Sequence, residues 1–204
     1  MTMKLIYLMT FTILSSFLMM GCATGRVDES TSAEVSPSTA LTSSYDLDTV
    51  KDMRELVSSA DLVVHAVPTG EVEKIVEGIS GLHATYHQDI AIKEVLKGQS
   101  PGLQVRVVRG GVNQEAREPL KETNPDAGVF IEDAEKLGGP LVPGDQILFL
   151  MLSRTEPVYA VVVGSKQGQF LLDQDGCVAP GNEFTDFDGL TVDEVQRKIE
   201  ELSG

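Results

Sequence analysis

His65, His83 and His87 are the whole imidazole set of this chain, and Cys22 and Cys177 are its only thiols. Two cysteines exclude a four-cysteine zinc or iron–sulfur site and a disulfide-dense scaffold. His83 and His87 would share one metal on a helix. Their surroundings alternate like a strand, where four residues set them ~13 Å apart. His65, on a preceding strand, could approach His87 across a sheet with Asp89 on the same face. His65, His87 and Asp89 are therefore the candidate ligands for a transition metal, against the plainer reading of surface or packed imidazoles.

Asp173-Gln174-Asp175-Gly176 echoes the centre of a calcium loop, with Asp173 and Asp175 as candidate ligands. The loop fails at both ends: Leu171 stands at the first ligand position and Asn182 where a bidentate Glu belongs. Asx-turn chemistry accounts for the motif without an ion. Glu183, Asp186 and Asp188 form a second acidic group, either a weak calcium site or a solvated face. No G-x-S-x-G, Walker A, Rossmann glycine pattern, H-E-x-x-H or C-x-x-C occurs in the sequence, so no catalytic residue is named and no cofactor is expected. Gly164–Gly168 reads as a hairpin loop and Cys177 as a buried small hydrophobe.

These groups must be positioned by a domain over residues 45–204. Its 160 residues suffice for one real core. Leu47, Val50, Met53, Leu56, Val57 and Ala60 recur at helical spacing, predicting a short helix from about Asp48 to Ser58 that starts at Thr49 and Asp52. The period then changes to that of strands. Leu62–Val67 is an apolar run ended by Pro68-Thr69-Gly70, and Ala84–Leu96 alternates. Leu103, Val105 and Val107 alternate with Gln104 and Arg106 in a strand that stops at Gly110-Gly111. Ile147–Leu152 reads as a buried strand, followed by Tyr159–Val163, Phe170–Leu172 and a hairpin turn into Cys177-Val178. Thr191 with Glu194 forms a capping box, Leu190 with Val195 a hydrophobic staple, and Val195, Ile199 and Leu202 the stripe of a C-terminal helix. The expected fold is mainly β: a small antiparallel barrel or strongly twisted sheet, OB-like, with a short N-terminal helix and a C-terminal helix.

Between Gly110 and Pro143 apolar positions are too few for a helix or strand of ordinary quality, apart from Val129–Ile131. The segment reads as a long loop, either a binding loop on the rim or a cover for a sheet edge. Glu115, Arg117, Glu132 and Asp133 are its candidate binding residues.

Sixteen Lys and Arg stand against 31 Asp and Glu, a formal charge of −15. That balance argues against nucleic acid, since phosphate binding needs a basic surface. Residues 1–21 carry one charge, Lys4, and an apolar stretch from Leu5 to Met20, the n- and h-regions of a secretory signal. That stretch, sixteen residues with a few hydroxyls, falls short of the ~20 that span a bilayer. Residues 23–44 contain ten Ser or Thr and no aromatic, so 22–44 reads as a disordered tether.

The Gly21-Cys22 junction resembles the cleavage site of bacterial lipoproteins. Leu18, Met19 and Met20 make it a relaxed match. The resemblance implies removal of residues 1–21, acylation of Cys22 and residence on the extracytoplasmic face of a cell membrane or outer membrane, held by chains such as palmitate. Acyl chains contribute ~0.8 kcal/mol per buried methylene. The mature chain would carry 15 bases against 31 acids, −16, and be repelled by anionic headgroups, leaving the anchor to hold it.

The order Ala60-Asp61-Leu62-Val63-Val64, Lys97-Gly98 and Gly144-Asp145 resembles bacterial lipoproteins of unassigned function. It is also similar to netrin-like modules, the OB-fold barrel of tissue metalloproteinase inhibitors. That resemblance implies the barrel. The several disulfides of those modules have no counterpart here, and the cysteine amine that would chelate zinc is expected to be acylated. The first function class is a non-catalytic module binding an envelope protein, a peptide or a glycan. The second is a calcium- or zinc-dependent or hydrolytic protein using acidic groups such as Glu132, Asp133 and Asp145, which predicts their convergence in one cleft. A protease inhibitor, by analogy with netrin-like modules, is the third.

Overall fold

The computed structural model describes residues 49–77, 81–123, 127–154 and 157–204. The expected leader, Cys22 and the tether lie outside the described residues. The elements are α1 (Met53–Ser59), β1 (Leu62–Glu77), β2 (His83–Lys97), β3 (Gln104–Val112), α2 (Gln114–Thr123), α3 (Ala127–Lys136), β4 (Gln146–Leu152), β5 (Tyr159–Val162), β6 (Gln169–Leu171) and α4 (Val192–Ser203).

Strands β1, β2, β3, β5 and β4 are neighbours in that order, and β4 pairs back onto β1. Five strands thus close an OB-like barrel, and β6 lies along β4 beyond the end of β5. The barrel is mixed rather than antiparallel throughout, because β3 and β5 run parallel over Arg106–Val108 and Tyr159–Val161. Parallel neighbours need a crossover, and α2, α3 and β4 form it.

Strand β4 shows why a short apolar run sits at the centre. Its alternation sends Leu148 and Leu150 into the barrel with Leu62, Val64, Val105 and Val162. Ile147 and Phe149 point outward and are still buried, under α1, α4, Phe170 and Phe187. A strand covered on both faces reads as continuous rather than alternating hydrophobicity. Helix α1 begins at Met53, later than the expected Asp48, because Asp52 is its N-cap: Asp52 Oδ1 accepts from Glu55 N at 2.8 Å. Its far end is held by Lys97, whose Nζ donates to the carbonyls of Val57 and Ala60. Helix α4 starts as expected, with Glu194 Oε2 accepting from Thr191 N and Oγ1, both at 2.9 Å.

Further expectations change. β1 does not end at Pro68-Thr69-Gly70 but continues to Glu77, with a register irregularity between Thr69 and Glu73. Pairing with β4 covers only Leu62–Ala66, so Pro68 lies where the strand has a free edge and its missing N–H breaks no ladder. Glu71, Glu73 and Lys74 on that edge blunt it against further strand pairing. β3 runs through Gly110-Gly111 to Val112. A Cβ at Gly111 would stand 2.6 Å from Gly139 Cα, so the glycine lets the α3–β4 connection lie against the strand.

The third change is the segment 110–143, which carries helices α2 and α3 rather than a long loop. Its few apolar residues are enough because they cluster: Leu120 and Ile131 pack with Leu82 and Val112. Cys177 is half-buried rather than buried, and bridges to Thr191 outside any strand.

Candidate functional site

On β3, Val105 and Val107 point into the barrel, and Arg109 is next in phase. The β3–β5 pairing stops one residue earlier, at Val108 and Val161. Past that point β3 has no strand on this edge. Gly110 O instead accepts from Gly139 N at 2.9 Å. The Arg109 side chain spans the gap to β6, where Nη1 donates to Gln169 Oε1 at 2.7 Å. Gln169 Nε2 donates to Gln146 Oε1 at 2.7 Å, and Gln146 Nε2 donates to Val142 O at 3.1 Å. A polar relay therefore closes the wall where backbone bonds run out. Gln146 is fully buried, and Arg109 is 4% exposed.

The relay satisfies part of the guanidinium. Nη2 makes only a long contact, 3.5 Å, to Ser165 O. Nε is buried with no partner. Among the described residues no carboxylate pairs with Arg109. Burial pushes its pKa down to about 10, which still leaves it charged at neutral pH. A buried charge without a counter-charge is among the most unfavourable arrangements a core can hold. The connection after α3 lies directly over it: a Cβ at Gly138 would stand 2.0 Å from Nη2.

A cavity of about 390 Å³ opens at this gap. Val50, Val108, Leu137, Met151, Val161 and Val163 are its apolar lining residues, Thr49, Lys51, Glu55, Ser59 and Ser165 its polar ones, and the β3 segment with Arg109 borders it. The volume falls in the range of small-ligand sites. The signal for Arg109 was present in the sequence as an arginine in phase with Val105 and Val107. Nothing in its local sequence shows that it would be buried without a carboxylate.

The residues singled out from sequence lie elsewhere and apart. His65 Nε2 is 2.7 Å from Asp145 Oδ1, which also accepts from Lys93 Nζ. His65 is opposite Glu94 on β2, seven residues from His87, roughly 23 Å along the strand. His87 faces Glu73, and Asp89 is engaged by Arg106, Nε to Oδ1 at 2.9 Å and Nη2 to Oδ2 at 3.3 Å. The proposed His65, His87 and Asp89 set is thus not brought together. Asp173 Oδ1 accepts from the amides of Asp175 and Cys177 at 2.9 and 3.0 Å, an Asx turn. Glu183 Oε2 accepts from Gln167 Nε2 at 2.8 Å.

Glu115 pairs with Lys74 at 2.8 Å and Arg117 with Glu135 at 2.7 Å. Glu132 is exposed, and the side chain of Asp133 lies outside the described residues. Among the described residues no three His, Cys, Asp or Glu side chains gather as a metal group. Asp145 is tied to His65 and Lys93, so the described acids show no convergence on one cleft.

The paired carboxylates set an acid limit. The Lys93 hydrogen bond, then that of His65, holds Asp145 below its usual 3.8. The Arg106 hydrogen bond does the same for Asp89. A depressed folded pKa gives stability that is complete above 3.8 and lost as pH falls through the folded value. Urea midpoints are expected to be level from pH 7 to 5 on account of these groups and to fall below pH 4. Both carboxylates are well exposed, so the loss is modest. In D89N and D145N together, a midpoint as acid-sensitive as the parent's would rule these pairs out as its source.

No family model, curated protein or solved structure matches this chain.

Proposed function

We propose that this protein is a non-catalytic binding module, held on the extracytoplasmic face of a membrane by acyl chains on Cys22. The observation that carries the binding reading is the cavity of about 390 Å³ where β3 and β5 part, of a size that admits a small ligand and lined by Val50, Val108, Leu137, Met151, Val161 and Val163 together with Lys51, Glu55 and Ser165. The acidic and histidine side chains favour it too. His65, Asp89 and Asp145 are taken up in pairwise links to Lys93, Arg106 and one another, whereas a hydrolytic or ion-dependent centre needs several converging on one point.

The anchoring reading rests on residues 1–22: one lysine, a short apolar stretch, then Gly21-Cys22 before a polar tail. An expected result follows for the intact chain produced with its leader in bacterial cells fed an alkyne fatty acid. The wild-type chain takes up the label, is shortened at Gly21-Cys22 and sediments with membranes. The Cys22→Ala chain takes up none. An unlabelled wild-type chain in the soluble fraction would remove the anchor and leave the binding reading untouched.

A further inference from the structure

We propose that the free edge of β1 receives an extended basic peptide as an added strand, with Glu71 and Glu73 selecting its charge and Val72, Ile75 and Val76 its apolar residues. This surface is separate from the wall cavity, and the inference goes beyond the reading built on that cavity.

The backbone comes first. β1 pairs with β4 only over Leu62–Ala66, while its other edge stays on β2 as far as Glu77. β2 in turn pairs with β3 over His83–Ala91. From Val67 onward the sheet therefore ends at β1. Among the described residues no backbone bond ties Val67–Glu77 to any strand but β2. Alternate residues of such an edge aim an N–H and a C=O at solvent, which is the template for strand addition.

The side chains narrow the partner. From Glu71 to Val76 every residue is exposed. Val72, Ile75 and Val76, at 39, 41 and 46% exposure, put three large apolar side chains on one stretch of the unpaired edge. Pairing with β2 is regular from Glu73 to Glu77. Glu73 and Ile75 thus share one face, and Lys74 and Val76 the other. Lys74 is engaged: its Nζ donates to Glu115 Oε1 at 2.8 Å and to Asn113 Oδ1 at 3.3 Å. Glu73 has only Arg106 Nη1 at 3.6 Å, and Arg106 is already held by Asp89. The charge left open along the edge is negative.

That charge decides between two occupants. A second copy would pair antiparallel about a twofold axis. Centred on Val72, Glu73 or Lys74, that pairing sets Glu71 against Glu73, Glu73 against Glu73 or Lys74 against Lys74, and like charges directly opposite are unfavourable. The charges that keep a copy off admit a strand of opposite sign. Such a strand carries Lys or Arg opposite Glu71 and Glu73 and apolar residues opposite Val72, Ile75 and Val76.

The test is fluorescence anisotropy of labelled Val-Val-Thr-Lys-Val-Lys-amide, titrated with the full-length protein in detergent. Laid antiparallel along β1, this peptide sets its lysines opposite Glu73 and Glu71. Saturable binding is expected, and the same peptide with Glu for both Lys should bind about tenfold more weakly or worse. Two N-methylated versions, blocking one or the other set of alternate amides, separate strand pairing from charge attraction. Only one set faces β1, so one version should lose binding and the other keep it. Glu71→Lys with Glu73→Lys, both at exposed positions, should reverse the preference between the two charged peptides. No saturable binding of the lysine peptide overturns the proposal. Equal binding of the glutamate peptide, or a preference unchanged in the double variant, overturns the role of Glu71 and Glu73. Equal tolerance of both methylated versions overturns strand addition. A dimer in sedimentation that Val76→Lys dissociates gives the edge to a second copy and overturns the basic partner.

Discussion

Phe149→Ala is expected to lower the unfolding free energy by about 3–5 kcal/mol, the range for a fully buried phenylalanine. Phe149 is completely buried on the outer face of β4. Its ring lies 5.7 Å from Phe170 at 61° and 6.0 Å from Phe187 at 16°. Phe170 and Phe187 in turn meet at 5.2 Å and 61°. One edge-on and one stacked neighbour add ring–ring attraction to the transfer term. Three elements fix the hole that would be left: β4 itself, the loop carrying Phe187, and the helical layer of α1 and α4. None can close in without dragging the others, so the cavity would persist. Urea unfolding against Leu103→Ala, a position 83% exposed, measures the difference. The control should stay within about 0.5 kcal/mol of the parent. A loss below about 1 kcal/mol in Phe149→Ala would mean that the helical layer does not pack on the barrel as described.

Gly98→Ala should be nearly as damaging for a different reason. Gly98 has φ +83°, and a Cβ there would stand 2.1 Å from Asp61 O and 3.3 Å from Leu62 Cα. The obstacle is backbone, at the first residues of β1, where a side-chain rotation gives no relief. Asp61 is itself pinned: its N donates to Leu150 O at 2.9 Å, and its Oδ2 accepts from Leu152 N at 2.9 Å. Moving it would loosen the β1–β4 seam that closes the barrel. The positive φ alone costs about 1–3 kcal/mol. With the collision, a loss of about 3 kcal/mol or more is expected. Gly102 is the matched control, since a Cβ there meets nothing closer than 3.6 Å and its φ is not positive. Gly102→Ala should be neutral or stabilising by about 0.4–1 kcal/mol. If the two alanines had equal effects, the close approach of β2's end to β1's start would be wrong.

Several short sequence signals turn out to be joints between elements. Ala60-Asp61, Lys97-Gly98 and Gly144-Asp145 were legible as generic punctuation, and in the fold they do structural work at specific contacts. Lys97 caps α1, Gly98 lets β1 pass, Asp61 ties β1 to β4, and Asp145 joins β4's approach to His65 and Lys93.

What could be read locally was read well, because the cause is local. The apolar run Ile147–Leu152, the Thr191–Glu194 cap and the Asp173 turn each depend on neighbours a few residues away. The mainly β class followed from period and turn residues alone. The errors share one cause. Gly70, Gly110 and Gly111 signal a stop when seen locally. In the fold they permit a bulge or a close approach inside a continuing strand. Helices α2 and α3 were missed because their burial comes from Leu82 and Val112 on other elements.

The candidate site was the least legible part. Arg109 gains its meaning from Gln169, sixty residues further on, and from Gln146 behind it. Its lack of a carboxylate is a property of the packed interior that no spacing encodes. By itself the sequence determined the acidic balance, the apolar stretch from Leu5 to Met20, and the alternation of the strands, because composition and short-range period act before the chain closes. Only the tertiary structure decided which acids are tied to which bases, that β3 and β5 part after three residues, and that a charge lies buried where they part. Those are consequences of barrel closure, which brings together groups that the chain keeps far apart.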